Sequence, residues 1–225
     1  MNKSTLALAV SLAALASEAS AAGFIEDSKA SIGLRNFYYD LNTKNTANNN
    51  GEAREWGQGF IFNYASGFTQ GTVGFGVDAI GLLGVKLDSG GRVGKAGRDR
   101  TPGQLFPLDS DGSAVDDYSK AGVTAKLRVS KTEARIGTLQ PKLPVVTFND
   151  GRLLPQTFQG GQVTSSEIDG LTLTAGQLES TKTRSSTDDI ALRIAGASGD
   201  ADTNTFYFAG GDWKATKDLT LQYYY

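Results

Sequence analysis

Over long stretches the chain alternates between apolar residues and residues that are polar or glycine. Residues 71–87 show this clearly, because Val73, Phe75 and Val77 are each separated by one glycine. A period of two predicts a β-strand whose apolar side chains share one face. A globular strand usually has about 5–6 residues, whereas a tilted strand that crosses a bilayer needs roughly 9–11 and can project beyond it. Strand length therefore favours a membrane β-barrel over a soluble β-sandwich.

The same period predicts strands along the rest of the chain. They are residues 29–39, 54–65, 71–87, 121–129, 132–139, 161–168 and 171–179, with two more on either side of a turn at 216–218. Residues 189–194 also alternate, but we assign them to a loop, because the short connections then all lie at one end of the sheet. Bacterial outer-membrane barrels have short turns at one end and long loops at the other, so we predict about nine antiparallel strands.

The long connection at residues 140–161 has an unusual composition. It contains Pro141, Pro144 and Pro155, three of the chain's five prolines, and a proline has no N–H to donate to a β-ladder. It also carries several large apolar side chains, which need a place to be buried. We therefore expect this loop to fold back against or into the barrel.

Composition excludes several kinds of function. The 225-residue chain has no Cys and no His, which excludes disulfides, thiolate nucleophiles, Ser-His-Asp triads and His-bearing metal sites. Its 22 basic and 24 acidic residues leave no broad basic face for nucleic acid. No cofactor is expected. Asp109-Ser110-Asp111-Gly112 suggests calcium, but Lys120 stands where an EF-hand loop requires Glu, so a solvated acidic loop is the better interpretation.

The N-terminus has the three parts of a secretory signal peptide in order. Lys3 is basic, residues 6–16 are apolar but too short to span a bilayer, and Ala19-Ser20-Ala21 forms an A-x-A cleavage site. We predict a signal peptide at residues 1–21, cleaved after Ala21, and export through the inner membrane.

Five blocks of the sequence are too long and specific to be explained by the overall composition. They are GFIEDSKASIGLRNFYYD (23–40), EWGQGF (55–60), SGFTQGTVGFGVDAIGLLGVKLDSG (66–90), RVSKTEARIG (128–137) and NDGRLLPQTFQG (149–160). These blocks resemble the OprD-type family of substrate-specific outer membrane porins. The resemblance implies an all-β fold, a transmembrane antiparallel β-barrel of about eighteen strands, located in the outer membrane. Residues 22–225 would be its N-terminal half, so we expect the chain to be a fragment.

The resemblance also implies a function. Such porins take up small solutes passively, typically solutes that carry a carboxylate, such as amino acids, small peptides and aromatic acids. Their third outer loop folds inward to form the constriction, and a row of basic side chains on the wall leads carboxylates through. This implies no enzyme activity, outer-membrane lipid and small carboxylate solutes as partners, and a full-length protein that is a monomer or a trimer.

Alternation identifies the wall residues. Arg35, Lys126, Arg128 and Arg135 lie opposite the apolar face and hence toward the lumen. A Lys or Arg that faced lipid at mid-depth would destabilise the protein by about 2–4 kcal/mol, so these basic residues are expected on the lumen side. We expect these four residues to contact solute, with the alternative that each is an ordinary solvated lumen residue paired with an acidic neighbour.

Two residues of the inward loop complete the candidate site. Arg152 either contacts solute or ties the loop to the wall. Asp150 is the loop carboxylate expected to oppose the basic row and create a transverse field that orients a zwitterion. Tyr38, Tyr39 and Trp56 are expected in the aromatic girdles at the membrane interfaces, with simple packing at a strand end as the alternative for each.

Two other classes of protein are compatible with export and β-structure. An exported soluble β-sandwich for binding or adhesion would have polar outward faces, and the continuous apolar band of the predicted strands argues against it. A barrel enzyme without His would depend on paired aspartates. The adjacent pairs Asp116-Asp117 and Asp188-Asp189 lie in loops, where such pairs are more often solvated than catalytic.

Overall fold

The computed structural model describes residues 23–42, 52–89, 102–193 and 201–225. The main strands are β1 (Lys29–Asn42), β2 (Glu52–Ala65), β3 (Val73–Ser89), β4 (Asp117–Val129), β5 (Thr132–Leu139), β8 (Thr157–Ser165), β9 (Leu171–Lys182), β11 (Phe206–Lys214) and β12 (Thr220–Tyr224). Three short strands lie in the connections, namely β6 (Lys142–Leu143), β7 (Val146–Thr147) and β10 (Asp189–Ala191). The predicted signal peptide and its cleavage site lie outside the described residues.

The main strands form one antiparallel meander. Their order is β1-β2-β3-β4-β5-β8-β9-β11-β12, so nine strands of the described chain follow one another up and down, with β1 and β12 at the edges. Strand β10 pairs only with β9, and β6 pairs with β7 inside the connection between β5 and β8. The predicted all-β, antiparallel architecture with nine strands is confirmed.

Most predicted strands differ from the structure by two to four residues at an end, and three of the differences are informative. Placing residues 189–194 in a loop is wrong for Asp189–Ala191, which form β10 and pair antiparallel with the end of β9. Strand β4 begins at Asp117 rather than 121, and β8 occupies Thr157–Ser165 rather than 161–168. At these strand ends the inward side chains face packed loops instead of water. Apolar residues such as Phe158 therefore occur on the inward side too, and the alternation is blurred.

The connections separate by length as predicted. Short connections at 66–72, 130–131, 166–170 and 215–219 lie at the end of the sheet where β1 begins, which we call the turn end. The longer connections between β3 and β4, β5 and β8, and β9 and β11 lie at the opposite end, which we call the loop end.

One face of the sheet is apolar and exposed. Val123, at the centre of β4, is 52% exposed, and Ile136 of β5 is 69% exposed. Other large exposed residues of this outward face are Leu34, Phe62, Phe75, Leu127, Val163, Leu173, Trp213, Leu221 and Tyr223. A soluble β-sandwich needs a polar outward face, so this alternative is not supported. The described residues contain no helix of the length and hydropathy that crossing a membrane would require.

The structure divides the three aromatic residues between the two predicted roles, the girdle and packing at a strand end. Tyr38 pairs with Trp56 across β1 and β2, and both are exposed on the outward face, as a girdle position requires. Tyr39 instead packs against the inner hydrophobic cluster. Adjacent residues of a strand point to opposite faces, so Tyr38 and Tyr39 cannot both face outward.

Apolar side chains from two connections fill the inner side at the loop end. Leu105 and Phe106, between β3 and β4, and Leu153 and Leu154, between β5 and β8, are all 0% exposed. They fit because β2 has a glycine beneath them. A Cβ atom added to Gly57 would lie 2.6 Å from Cζ of Phe106 and 2.8 Å from Cδ2 of Leu153. The prediction that the apolar loop folds inward is confirmed.

Candidate functional site

Arg35, on the inward face of β1, holds the inward loop. Its Nη1 lies 2.7 Å from Oδ1 of Asp150 and its Nη2 lies 3.2 Å from Oδ2, which makes a two-pronged salt bridge. The same Nη1 donates to the carbonyl oxygen of Arg152 at 2.8 Å. Asp150 is therefore bonded directly to one member of the predicted basic row, instead of facing that row across an open lumen.

The guanidinium of Arg152 stacks on an aromatic ring of the wall. Its Cζ lies 4.1 Å from the centre of the Tyr39 ring, and its Nη2 donates to Oε1 of Gln104 at 3.3 Å. A guanidinium stacked by its face keeps in-plane N–H groups for other acceptors. Among the described residues, no carboxylate pairs with Arg152. The loop is thus tied to the wall through a cation that retains donors.

Sequence reasoning missed Arg184, which lies in the connection between β9 and β10. A Cβ atom added to Gly151 would lie 3.7 Å from Nη1 of Arg184, so this guanidinium lies beside the inward loop. Burial lowers the pKa of Arg184 below its ordinary value, and the positive charge of Arg152 lowers it further. The two guanidinium groups are therefore close enough for their charges to repel each other. No local pattern marks Arg184, because its connection is polar and does not alternate.

Residues 150–152 lie at the centre of a positively charged cluster. Arg35 pairs with Asp150, the one carboxylate of the segment, Arg152 belongs to the segment itself, and Arg184 lies beside Gly151. Partial exclusion of water strengthens the attraction of such a cluster for an anion. The cluster can bind a carboxylate without any covalent step.

Lys120 is also on the inward face but is occupied. Its Nζ donates to the carbonyl oxygens of Pro155 and Thr183, each at 2.9 Å. Lys120 therefore links the connection between β5 and β8 to the connection between β9 and β10. The alternation of β4 would have identified Lys120 as inward, but the predicted strand began one residue later.

Lys126 and Arg135 share one acidic partner nearer the turn end. Nζ of Lys126 lies 2.6 Å from Oδ1 of Asp78, and this side chain is only 5% exposed. Nη1 of Arg135 lies 3.7 Å from Oδ2 of Asp78, and its Nε lies 2.5 Å from Oε1 of Glu133, yet the side chain remains 45% exposed. Lys126 is thus buried and neutralised, whereas Arg135 lines a lumen cavity of about 900 Å³.

Arg128 lies at the turn end of β4 and is exposed. Its Cζ lies 4.1 Å from the centre of the Phe68 ring. Glu133 stands opposite Arg128 in the β4–β5 register but bonds to Arg135 instead. Of the six predicted site residues, the structure brings Arg35, Asp150 and Arg152 together at the inward loop and leaves Lys126, Arg128 and Arg135 along the wall below.

A buried carboxylate fixes the other inward connection. Glu55 is 0% exposed and accepts hydrogen bonds from the backbone N–H groups of Gly103, Gln104 and Leu105 at 3.2, 2.6 and 2.7 Å. Oη of Tyr118 lies 2.9 Å from the carbonyl oxygen of Leu105. These contacts set the position of Gln104, the hydrogen-bond partner of Arg152.

The acidic sequence that suggested calcium forms local turns. Oδ1 of Asp109 accepts the N–H of Ser110 at 2.6 Å, and Oδ1 of Asp111 accepts the N–H of Ser113 at 2.9 Å. Within the part of the chain that the structure describes, no three acidic side chains are placed to hold a metal ion. A calcium site gains no support.

Known proteins match the chain along almost its whole length. Residues 22–225 match the OprD family, described as outer membrane porins. Porin-like protein GalP of Pseudomonas putida KT2440 is 44% identical over 219 residues, which cover 96% of this chain and 50% of that protein. Porin D of Pseudomonas aeruginosa is 40% identical over 233 residues, which cover 100% of this chain and 50% of that protein. The chain spans about half the length of the curated relatives it matches.

Solved porin structures share the fold. OccK8 (OprE) of Pseudomonas aeruginosa is 59% identical and superposes with a TM-score of 0.78, over 90% of this chain and 47% of that chain. OpdK of the same species, solved with vanillate, is 40% identical with a TM-score of 0.76, over 90% of this chain and 49% of that chain. The chain therefore belongs to the OprD family of outer membrane porins, which are channels of that membrane and not enzymes.

Proposed function

We propose that the protein is a passive channel that selects small solutes bearing a carboxylate, such as amino acids, small peptides and organic acids. The observation that carries this proposal is the pair of neighbouring guanidinium groups, Arg152 and Arg184, at the inward loop. No carboxylate of the described residues pairs with either group. A passing solute carboxylate supplies the partner that this pair lacks.

The proposal gives the site residues different roles. Arg152 and Arg184 contact the solute carboxylate at the constriction. Arg35 and Asp150 hold the inward loop in place, because they are already paired with each other in a salt bridge. Arg135, which is 45% exposed despite its two acidic neighbours, is the next cation along the wall.

Selection and passage impose opposite demands on these contacts. A guanidinium donates two parallel N–H groups to a carboxylate, which is a strong and directional contact. Conduction also requires the solute to leave, so no single contact can be too tight. Several separate and partly solvated cations along one wall meet both demands, because each holds the solute weakly before the next takes over.

A relative supports the choice of solute. OpdK was solved with vanillate, which is an aromatic carboxylate, and it is 40% identical to this chain. We also propose outer-membrane lipid as the partner of the outward face, because the large apolar side chains are exposed there. The monomer or trimer state of the full-length protein stays a prediction.

Liposome flux tests the proposal in the complete protein that carries this chain. Benzoate and benzamide are similar in size and differ in charge, so the ratio of their fluxes reports recognition of the carboxylate. We expect Arg152→Gln and Arg184→Gln each to lower this ratio about tenfold or more, because a hydrogen bond to a charged group contributes about 1.5–3 kcal/mol.

Lys217→Gln is the matched control for charge. Lys217 lies in the turn between β11 and β12 and its side chain is 90% exposed, so its replacement removes one positive charge far from the inward loop. We expect the flux ratio to stay unchanged in this variant. An equal loss of benzoate and benzamide flux in Arg152→Gln and Arg184→Gln would refute carboxylate selection, because the side chains would then set only the width of the pore.

A further inference from the structure

Two successive inward side chains of β4 contact the inward connections at the loop end. Tyr118 and Lys120 lie two residues apart on one face of the strand, and each is 5% exposed. Between them they contact backbone carbonyl oxygens of three different connections, namely those of Leu105, Pro155, Thr183 and Arg184. The three connections therefore meet at the loop end of β4.

The segment at residues 183–184 is held by these two side chains. Nζ of Lys120 donates to the carbonyl oxygen of Thr183 at 2.9 Å, and Oη of Tyr118 lies 2.9 Å from the carbonyl oxygen of Arg184. Among the described residues, no other group donates a hydrogen bond to either oxygen. The carbonyl oxygen of Arg184 thus has a single donor, the hydroxyl of Tyr118.

The hydroxyl of Tyr118 has two acceptors but one hydrogen. Its Oη also lies 2.9 Å from the carbonyl oxygen of Leu105, so it can donate to only one of the two oxygens at a time. The connection that contains Leu105 has another anchor, because Glu55 accepts hydrogen bonds from its backbone N–H groups. Loss of the hydroxyl should therefore release Arg184 and leave Leu105 in place.

Resting on the function proposed above, we infer that Tyr118 is the positioning residue of Arg184. Tyr118 holds the backbone of Arg184 at the end of β4, and the guanidinium lies beside Gly151 of the inward loop. A guanidinium binds a carboxylate best when its paired N–H groups point at both oxygens, and a fixed backbone preserves that geometry. The ring of Tyr118 is itself fixed, because it packs edge-on against Phe106 at a centroid distance of 5.9 Å.

Liposome flux tests this role in the complete protein. Tyr118→Phe removes the hydroxyl and keeps the ring. We expect this change to lower the ratio of benzoate to benzamide flux about threefold, the size of a lost neutral hydrogen bond. In an Arg184→Gln background it should lower the ratio no further, because it acts only through Arg184. Tyr224→Phe removes another inward hydroxyl, which donates to Oδ2 of Asp212 at 3.0 Å, and should leave the ratio unchanged.

Distances between spin labels test the position of the connection without any solute. This chain has no Cys, so labels can be attached to Thr187→Cys, after β9, and to Lys217→Cys at the turn end, in a complete protein without other cysteines. We expect Tyr118→Phe to broaden the distribution of distances between these two labels. The distribution between Ser110→Cys and Lys217→Cys should stay unchanged, because Glu55 still holds the connection between β3 and β4.

Each outcome bears on one proposal. Where Arg184→Gln lowers the flux ratio, an unchanged ratio in Tyr118→Phe overturns the inference, and so does an equal fall with and without Arg184→Gln. A distance distribution at Thr187→Cys that stays as narrow as before overturns it as well. If Arg152→Gln and Arg184→Gln leave the ratio unchanged, the proposed function fails, whereas the label distances still decide whether Tyr118 positions the connection.

Discussion

The inward basic side chains differ in what they contact, and this decides what each can do. Lys120 and Lys126 are buried and satisfied by carbonyl oxygens or by Asp78. Such groups stabilise packing, because an unpaired buried charge would be strongly unfavourable. Arg152 and Arg184 have no carboxylate partner among the described residues. A basic side chain on the inward face can therefore bind a solute carboxylate only if the protein does not already satisfy it.

The Arg35–Asp150 salt bridge should control the order of the inward loop. The two side chains are 28% and 46% exposed, so solvent screens the pair and we expect its loss to cost about 1 kcal/mol. In Arg35→Gln, amide hydrogen exchange at residues 149–156 should accelerate about fivefold. Asp150→Asn should do the same, and the double variant should add little, because both changes remove one contact.

The control for this experiment is Arg193→Gln. Arg193 forms a salt bridge with Asp202 at 2.6 Å in a different connection, so its loss should leave residues 149–156 unchanged. Unaltered exchange in Arg35→Gln would mean that the apolar contacts of Leu153 and Leu154 hold the loop without help from the salt bridge.

At the scale of elements, glycines in the strands leave space for the inward connections to pack against the wall. Gly57 on β2 and Gly84 on β3 lie beneath Phe106, Leu153 and Tyr118. A side chain at either position would occupy space that these residues fill. Glycine lowers the strand propensity of β2 and β3, yet these are the strands against which the inward connections pack.

Gly57→Ala should displace the inward connections. The added Cβ atom would lie 2.6 Å from Cζ of Phe106, and overpacking of this kind typically costs about 1–3 kcal/mol. We expect a lower midpoint in denaturant unfolding of the complete protein and faster exchange at residues 102–106. Gly33→Ala is the matched control, because its Cβ atom would have its nearest contact at 3.6 Å. Equal effects of the two changes would show that strand propensity, and not packing, is responsible.

At the scale of the whole molecule, the two faces of the sheet meet different solvents. The outward face carries exposed apolar side chains on successive strands, and the inward face carries the charges and the packed loops. A closed antiparallel barrel in a membrane requires this division, because lipid cannot solvate charge and the lumen can.

Val123→Lys tests this division. Val123 lies at the centre of β4 on the outward face, where a Lys should cost about 2–4 kcal/mol in a bilayer. Unfolding of the complete protein from liposomes measures this cost. Gln162→Lys places the same residue on the inward face, beside Glu133, and should change stability by less than about 1 kcal/mol. Similar costs at the two positions would contradict the assignment of the faces.

Residue pattern alone determined the main strands to within a few residues, their order, and the face of the charged residues inside each predicted strand. The reason is that a β-strand repeats every two residues, so one apolar run assigns every side chain of the strand to a face. The prolines and apolar residues of the inward loop were also sufficient to predict that it packs inside. Errors occurred where strand ends meet packed loops, as at Tyr39, Asp117 and Phe158.

Tertiary structure alone decided which charges are paired. Arg35 and Asp150 are 115 residues apart in sequence, and Arg184 reaches the inward loop from another connection. No local period encodes such contacts, because loops are placed by packing and not by alternation. The same holds for Phe68, which reads as part of a short turn in the sequence but lies inside the lumen against Arg128. Alternation thus determines the wall of the channel, and the packing of the connections determines where a solute can bind along it.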